Sequence, residues 1–317
     1  MVRFALIVAA ALLLANCLGT RSLPQEAAGG GPGPADYNLI YVIHGDGGYL
    51  YHDGNGDAVQ ADRKTLQEAI AVERAGAHAE VFIFHQRPRS HFLQLFPLRE
   101  SRFYHFRAGE LVEEVPYFSR RSDAGFLQEA GLYHRRRKAE AGHGPPPQRI
   151  FLYFGHEIPA HDGFGYHGSM PDVPFNMKIL AQGMEAFNNN GKDRFDLTVL
   201  SSCSNGSRET ASLLYTQTDL LIASPEELHL SYMDSGFFKA IRAEDFPVIR
   251  QLALAFAQHA FHILDQAVHT PVSITLYDTL TMEVHQWYRG SRFGKPSTDL
   301  PAGDDVNGVD QARDVSQ

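Results

Sequence analysis

Residues 195–227 read FDLTVLSSCSNGSRETASLLYTQTDLLIASPEE, and their pattern decides the fold class. Phe195 to Leu200 is a near-continuous apolar run, the signature of a strand covered on both faces. The turn-rich cluster SSCSNGS follows. Ser207 to Thr216 reads as a helix, and Asp219 to Ala223 is a second short apolar run. Strand, turn, helix, strand is the order of a parallel pair joined by a right-handed crossover.

The same grammar extends upstream. Arg149 to Phe154 (RIFLYF) is a buried strand that runs into GHE and then a long loop, and Val173 to Asn188 is helical. Asn38 to Ile43 is a first strand ending in HGDGG (44–48). Ala61 to Ala75 is a helix closed by Gly76, and Glu80 to Phe84 is the next strand. Arg102–Arg107 and Glu110–Val115 flank Ala108-Gly109 as a hairpin, and Asp123 to Glu140 reads as a helix. Downstream, helices are expected near 233–242 and 247–268, with a sixth strand over 272–277. The whole is an α/β domain with a mainly parallel sheet flanked by helices and one inserted β-hairpin. Ligand chemistry in such a domain belongs beyond the C-terminal strand ends. His44, His156 and Cys203 all fall there.

The ends read differently. Residues 1–17, MVRFALIVAAALLLANC, have a basic start at Arg3 and an apolar run too short to span a bilayer, which reads as a signal peptide. Leu14-Ala15-Asn16-Cys17 resembles a bacterial lipobox, which makes Cys17 the lipidation candidate and implies a membrane tether. Residues 18–36 are a flexible tether rich in Gly, Pro and Ala, 37–288 the α/β domain, and 289–317 a disordered tail. The protein is therefore expected to be exported, either anchored by lipid in the cell envelope or released as a secreted or periplasmic protein. The composition, 44% hydrophobic and 21% charged, suits an ordinary globular core, and a net charge of −9 argues against nucleic acid as a partner. The basic run Arg135 to Lys138 reads as a solvated helix end.

The chain has two cysteines, so with Cys17 processed no intramolecular disulfide is expected at Cys203. A cysteine peptidase needs a thiolate, a histidine base and oxyanion donors. Cys203 lies between a strand and a nearby helix N-terminus, a setting that favours the thiolate. If the strands ending at His156 and Cys203 are neighbours, their ends lie about 5 Å apart. The backbone N–H groups of Gly155, Glu157 and Cys203 are then candidate oxyanion donors.

Here a family resemblance enters. IFLYFGHE (150–157) resembles the histidine block of clostripain-like cysteine peptidases, relatives of gingipain, legumain and the caspases, and 195–227 resembles the cysteine block and its continuation. The resemblance spans about residues 37–240 and implies a caspase/haemoglobinase-like fold, with Cys203 as nucleophile, His156 as base, and a protein or peptide substrate. Two positions depart from the pattern. Glu157 stands where the family has Gly after the histidine. Ser201 stands where it often has an acidic residue that receives a basic P1 side chain. Glu226, Glu227 and Asp234 are then the remaining acidic candidates for the substrate pocket, with Ser201 itself lining it. Arg120-Arg121 and Arg135 to Lys138 are candidate processing sites.

HGDGG resembles the oxyanion loop of an α/β-hydrolase, but Ser201 and Asn205 fit a nucleophile elbow poorly, and the glycines read as turn formers. His156-Glu157 through His161 is HExxxH, whose extra residue and Pro159 spoil zinc-helix geometry; Asp162 and His167 share that loop. Asp53 to Asp57 (DGNGD) resembles the start of a calcium loop, yet Ala58 and Lys64 stand at positions six and twelve. No cofactor or metal is required by this chemistry, and calcium lacks support. A catalytically degenerate surface-binding protein on the same fold is the remaining alternative.

Overall fold

The computed structural model describes residues 35–46, 49–52, 57–75, 79–87, 90–92, 96–98, 101–117, 126–139, 147–161, 174–227, 237–239, 248–267, 270–289 and 313–315. Cys17, Asp234, the Arg120-Arg121 pair, Asp162, His167 and residues 53–56 of the DGNGD segment lie outside them.

Strands β1 (Tyr37–His44), β2 (Leu50–His52) and β3 (Ala58–Gln60) come first, and helix α1 (Ala61–Ala75) runs to β4 (Ala79–Gln86). Two short strands, β5 (Ser90–Phe92) and β6 (Phe96–Leu98), precede the hairpin β7 (Ser101–Arg107) and β8 (Glu110–Tyr117). Helix α2 (Leu127–Ala139), β9 (Gln148–Phe154), α3 (Met177–Phe187), β10 (Phe195–Ser201), α4 (Arg208–Leu214) and β11 (Thr218–Ala223) follow. The chain continues through α5 (Ile249–Ala267), β12 (Val272–Asp278) and β13 (Val284–Arg289). Arg313–Val315, within the segment read as a tail, forms β14 against β13.

The main sheet has the order β14-β13-β12-β11-β10-β9-β1-β4-β7-β8. Its five central strands, β4, β1, β9, β10 and β11, run parallel. Antiparallel strands extend it on both sides, so the expected sixth strand joins in the opposite direction. The hairpin turns through Ala108 (φ 51°) and Gly109 (φ 81°), the left-handed pair of a two-residue hairpin loop.

The continuous apolar runs are explained by cover on both faces. In β1, Leu39, Tyr41 and Ile43 join the core beneath α1 and α5, while Ile40 and Val42 join the core beneath α2, α3 and α4. The result is three layers, helix on sheet on helix. Helix α3 starts at Met177 rather than Val173 because Asn176 caps it, its side chain accepting from the Ile179 N–H at 3.0 Å. It buries Met177, Leu180, Gly183, Met184 and Phe187. Of the helix expected over 233–242, the described part is a single 3₁₀ turn, Phe237–Lys239. Among the described residues, no helix is long and apolar enough to cross a membrane.

The basic run on α2 is not merely a solvated helix end. Arg136 pairs with Glu113 on the hairpin, and Arg137 lies 3.4 Å from the buried Glu80 carboxylate. Glu80 in turn meets His105 at 2.9 Å. These arginines fasten α2 to the sheet.

The order of the parallel strands places the site. The chain moves from β1 outward to β4 through α1 on one face. It then returns to the other side of β1 and moves from β9 to β10 to β11 through α3 and α4 on the opposite face. The direction reverses between β1 and β9, and a crevice opens at such a switch point beyond the strand ends.

Gly183 shows how tightly the α2 side is packed. A Cβ there would lie 2.1 Å from a ring carbon of Phe126, which is buried at the head of α2. Gly183→Ala is expected to cost about 1–3 kcal/mol through overpacking. Thermal unfolding by circular dichroism measures this, and an unchanged midpoint would mean that the Phe126 ring moves aside without loss.

Candidate active site

Three strand ends converge at the switch point. Phe154 of β9 pairs with Ile43 of β1 on one side and with Ser201 of β10 on the other. His156 and Cys203 each lie two residues past the Phe154–Ser201 pair, on strands about 4.8 Å apart. The two residues are thus carried out at one level of one sheet edge, as their neighbouring strands require. Cys203 is half-buried.

His156 has a partner that local sequence reading missed. Its Nε2 lies 2.9 Å from Oδ2 of Asp46, just past the end of β1, and the side chains are 33% and 13% exposed. The HGDGG segment thus supplies more than a turn, because it delivers a carboxylate across the β1–β9 crevice. With Nε2–H donating to Asp46, Nδ1 remains as the basic nitrogen. His44, from the same segment, is withdrawn from this chemistry. It is buried among Phe126, Tyr153 and Phe175, with Nδ1 3.1 Å from the Tyr153 hydroxyl.

A second tie binds the histidine loop to the cysteine loop. Asn205 is 2% exposed. Its Oδ1 accepts from the Ile158 N–H at 3.1 Å and from the Ser202 hydroxyl at 2.6 Å, and its Nδ2 donates to the Ile158 carbonyl at 2.7 Å. One side-chain amide therefore satisfies both backbone groups of a residue two positions past His156. Asn205 entered the sequence reading only as a poor match to an elbow. Its signal was an amide in a small-residue turn, too common to single out.

The cysteine loop is also sewn to the loop after β11. Ser204 has φ 54°, a left-handed conformation costly for a residue with a Cβ. Its N–H donates to the Glu226 carbonyl at 3.0 Å, and the Gly206 N–H donates to the Ser224 carbonyl at 2.7 Å. A Cβ on Gly206 would lie 2.5 Å from the Pro225 nitrogen, so only glycine permits this backbone approach. The Tyr277 hydroxyl, its pKa pushed up to about 12 by burial, donates to the Gly206 carbonyl at 3.0 Å.

The Gly155 N–H donates to the Ser201 carbonyl at 3.4 Å, so Gly155 is committed to the sheet rather than to an oxyanion. Glu157 is exposed and Ser201 is buried at the end of β10. Glu226 is brought beside the cysteine loop through its backbone, and Glu227 is exposed. Ser207 caps α4, its hydroxyl accepting from the Thr210 N–H at 3.1 Å, so Cys203 sits upstream of that helix rather than in its first turn. His161 meets Glu209 at 2.7 Å on the surface, apart from the His156–Asp46 pair. Ala58 and Lys64, at positions six and twelve of the calcium-like segment, lie in β3 and in α1.

The mixed, mostly parallel sheet flanked by helices matches the fold of clostripain-like (C11) cysteine proteases. A secreted C11 cysteine protease from Bacteroides thetaiotaomicron, solved with an irreversible peptide inhibitor, superposes with a TM-score of 0.54 at 12% identity over 78% of this chain and 68% of its own. An inactive zymogen C11 protease from Parabacteroides distasonis superposes at 0.50 with 13% identity, over 79% of this chain and 64% of its own. A further structure of a secreted C11 cysteine protease from Bacteroides thetaiotaomicron, "iotapain", gives 0.50 and 12%, over 79% and 68%. No family model matches the sequence, and no curated protein does.

The Asn205 clamp is testable by substitution. Asn205→Ala leaves the Ile158 N–H and carbonyl buried without that partner, at about 1–3 kcal/mol for each group. Asn205→Asp turns the donor into a second acceptor facing the Ile158 carbonyl and buries a charge, so its melting temperature is expected to fall at least as far as that of Asn205→Ala. Equal stability of all three would remove the clamp from the account.

Proposed function

We propose that the chain is an exported cysteine endopeptidase in which Cys203 is the nucleophile, His156 the general base and acid, and Asp46 the group that orients His156. The Asp46–His156 hydrogen bond, set one strand away from Cys203, carries this reading. A buried structural cysteine would need no imidazole on the neighbouring strand end, and no carboxylate fixing that imidazole's tautomer.

The reaction follows from these groups. Nδ1 of His156 takes the thiol proton, and the thiolate adds to the scissile carbonyl carbon. The C=O π pair moves to oxygen, and backbone N–H groups at Cys203 and Glu157 are the donors assigned to that oxyanion. Collapse breaks the C–N bond, and the imidazolium returns its proton to the leaving amine. Water, deprotonated by His156, then hydrolyses the thioester and restores the thiol. Throughout, the Asp46 carboxylate favours the imidazolium and does not itself take the proton.

Ser201 is neutral where a basic P1 group would need charge. Any preference for Arg or Lys then rests on Glu226, Glu227 or Asp234 at the rim. Residues 1–17 support export, with Cys17 as the acylation site of an anchored form. The secreted neighbour in the fold comparison is consistent with this.

Digestion of a diverse peptide mixture by wild type and Cys203→Ala, read by mass spectrometry, tests the reading. Cleavage by wild type alone supports it, and the P1 residues report the pocket. If neither cleaves under reducing conditions with calcium present and the basic loops pre-cut by trypsin, the degenerate binding protein takes its place. Asp46→Asn is expected to lower kcat by about 10²- to 10⁴-fold with little change in KM, because it presents the wrong imidazole tautomer. An unaffected kcat would remove Asp46 from the mechanism.

A further inference from the structure

Tyr49 follows the turn that presents Asp46 and is held at both backbone ends. Its N–H donates to the Asp46 carbonyl at 3.1 Å, and its own carbonyl accepts from Ala61 at the head of α1 at 3.0 Å. The ring stacks on Phe154, with centroids 6.0 Å apart and planes 5° apart. It also lies 4.9 Å from the His156 imidazole, at 32°. One side chain therefore spans from the end of β9 to the candidate base, while its backbone holds the carboxylate that orients that base.

A phenylalanine would stack equally well there. A largely buried hydroxyl costs desolvation unless it meets an acceptor. Burial first, and then negative charge on Cys203, raises the Tyr49 pKa, so the phenol keeps its proton. Thiol ionisation creates a strong acceptor on the strand end beside that of His156, whose imidazole the Tyr49 ring touches.

We propose that Tyr49 is a positioning residue of the peptidase site, its ring bracing the His156 imidazole and its hydroxyl donating to the Cys203 thiolate. This rests on the assignment of Cys203 and His156 above. The hydroxyl stabilises the thiolate–imidazolium pair before attack. It is released when the sulfur becomes neutral on bonding to the carbonyl carbon, and no proton leaves the tyrosine at any step.

The test is alkylation of Cys203 by iodoacetamide as a function of pH in the full chain. Mass spectrometry of the peptide carrying Cys203 distinguishes it from Cys17. Tyr49→Phe is expected to raise the pH midpoint by about one unit, as loss of one charge-assisted hydrogen bond does. On a peptide substrate its kcat is expected to fall about tenfold with KM unchanged. Tyr49→Leu also removes the ring and is expected to move the profile further, toward that of His156→Ala. If His156→Ala leaves the wild-type profile unaltered, the cysteine–histidine pairing fails and the Tyr49 role fails with it. If His156→Ala shifts the profile while Tyr49→Phe and Tyr49→Leu superimpose on wild type, the Tyr49 role is overturned and the pairing stands. Because Tyr49→Phe preserves the ring packing, it decides the hydroxyl's role even where Tyr49→Leu fails to fold.

Discussion

The parallel register of β1, β9 and β10 is the constraint from which the rest follows. A parallel sheet has to be covered on both faces, and each crossover has to be right-handed. Once α1 covers one face on the way to β4, the remaining crossovers through α3 and α4 cover the other. The chain then reverses direction between β1 and β9, and the loops after these strands part there. A carboxylate, an imidazole and a thiol from three different strand ends reach that opening because the core has already set the strand ends side by side. None of these side chains needs a long loop to bring it in.

What the strands deliver, two small polar devices then hold. Asp46 fixes which imidazole nitrogen is basic, and Asn205 fixes how far the His156 loop stands from the Cys203 loop. The two act on different quantities. The Asp46 bond is partly exposed, so its strength depends on solvent, and its effect falls on the orientation and tautomer of the imidazole. The Asn205 bonds are buried, so breaking them leaves backbone groups without water to replace the partner. The first device is expected to govern turnover and the second the integrity of the edge. The left-handed Ser204 belongs with the second, its conformation held by the Glu226 and Ser224 carbonyls on either side of Pro225.

The sequence exposed this unevenly, for physical reasons. The strands were legible because cover on both faces forces uninterrupted apolar runs, and α1 was found to the residue because its periodicity ends at Gly76. The hairpin was legible because Ala108-Gly109 stands between two alternating runs. Strand order was not encoded locally. HGDGG therefore read as a turn, and Asp46 could not be paired with His156 until β1 was seen beside β9. Asn205 and Tyr49 were hidden for the same reason, since their partners lie 47 and 107 positions away along the chain. The described part of the helix expected over 233–242 is one 3₁₀ turn around Phe237 and Phe238. These two rings pack on Phe256 of α5 rather than extending an amphipathic face.

The two departures from the clostripain-like pattern take on different weights in this geometry. Glycine after the histidine has two uses: a left-handed backbone, or close approach by a substrate. Glu157 does not adopt a positive φ, so the first use does not arise here, and the glutamate imposes no backbone strain on His156. Its side chain is exposed, which confines its effect to the mouth of the site, where it adds negative charge and bulk. Ser201 acts deeper. It is buried at the end of β10, and its carbonyl is taken by the Gly155 N–H. A carboxylate there would be a desolvated charge awaiting a basic side chain, and a serine is not. Both changes therefore place negative charge at the exposed loop after His156 rather than at the buried end of β10. Charge at an exposed rim is screened by water and salt and discriminates weakly.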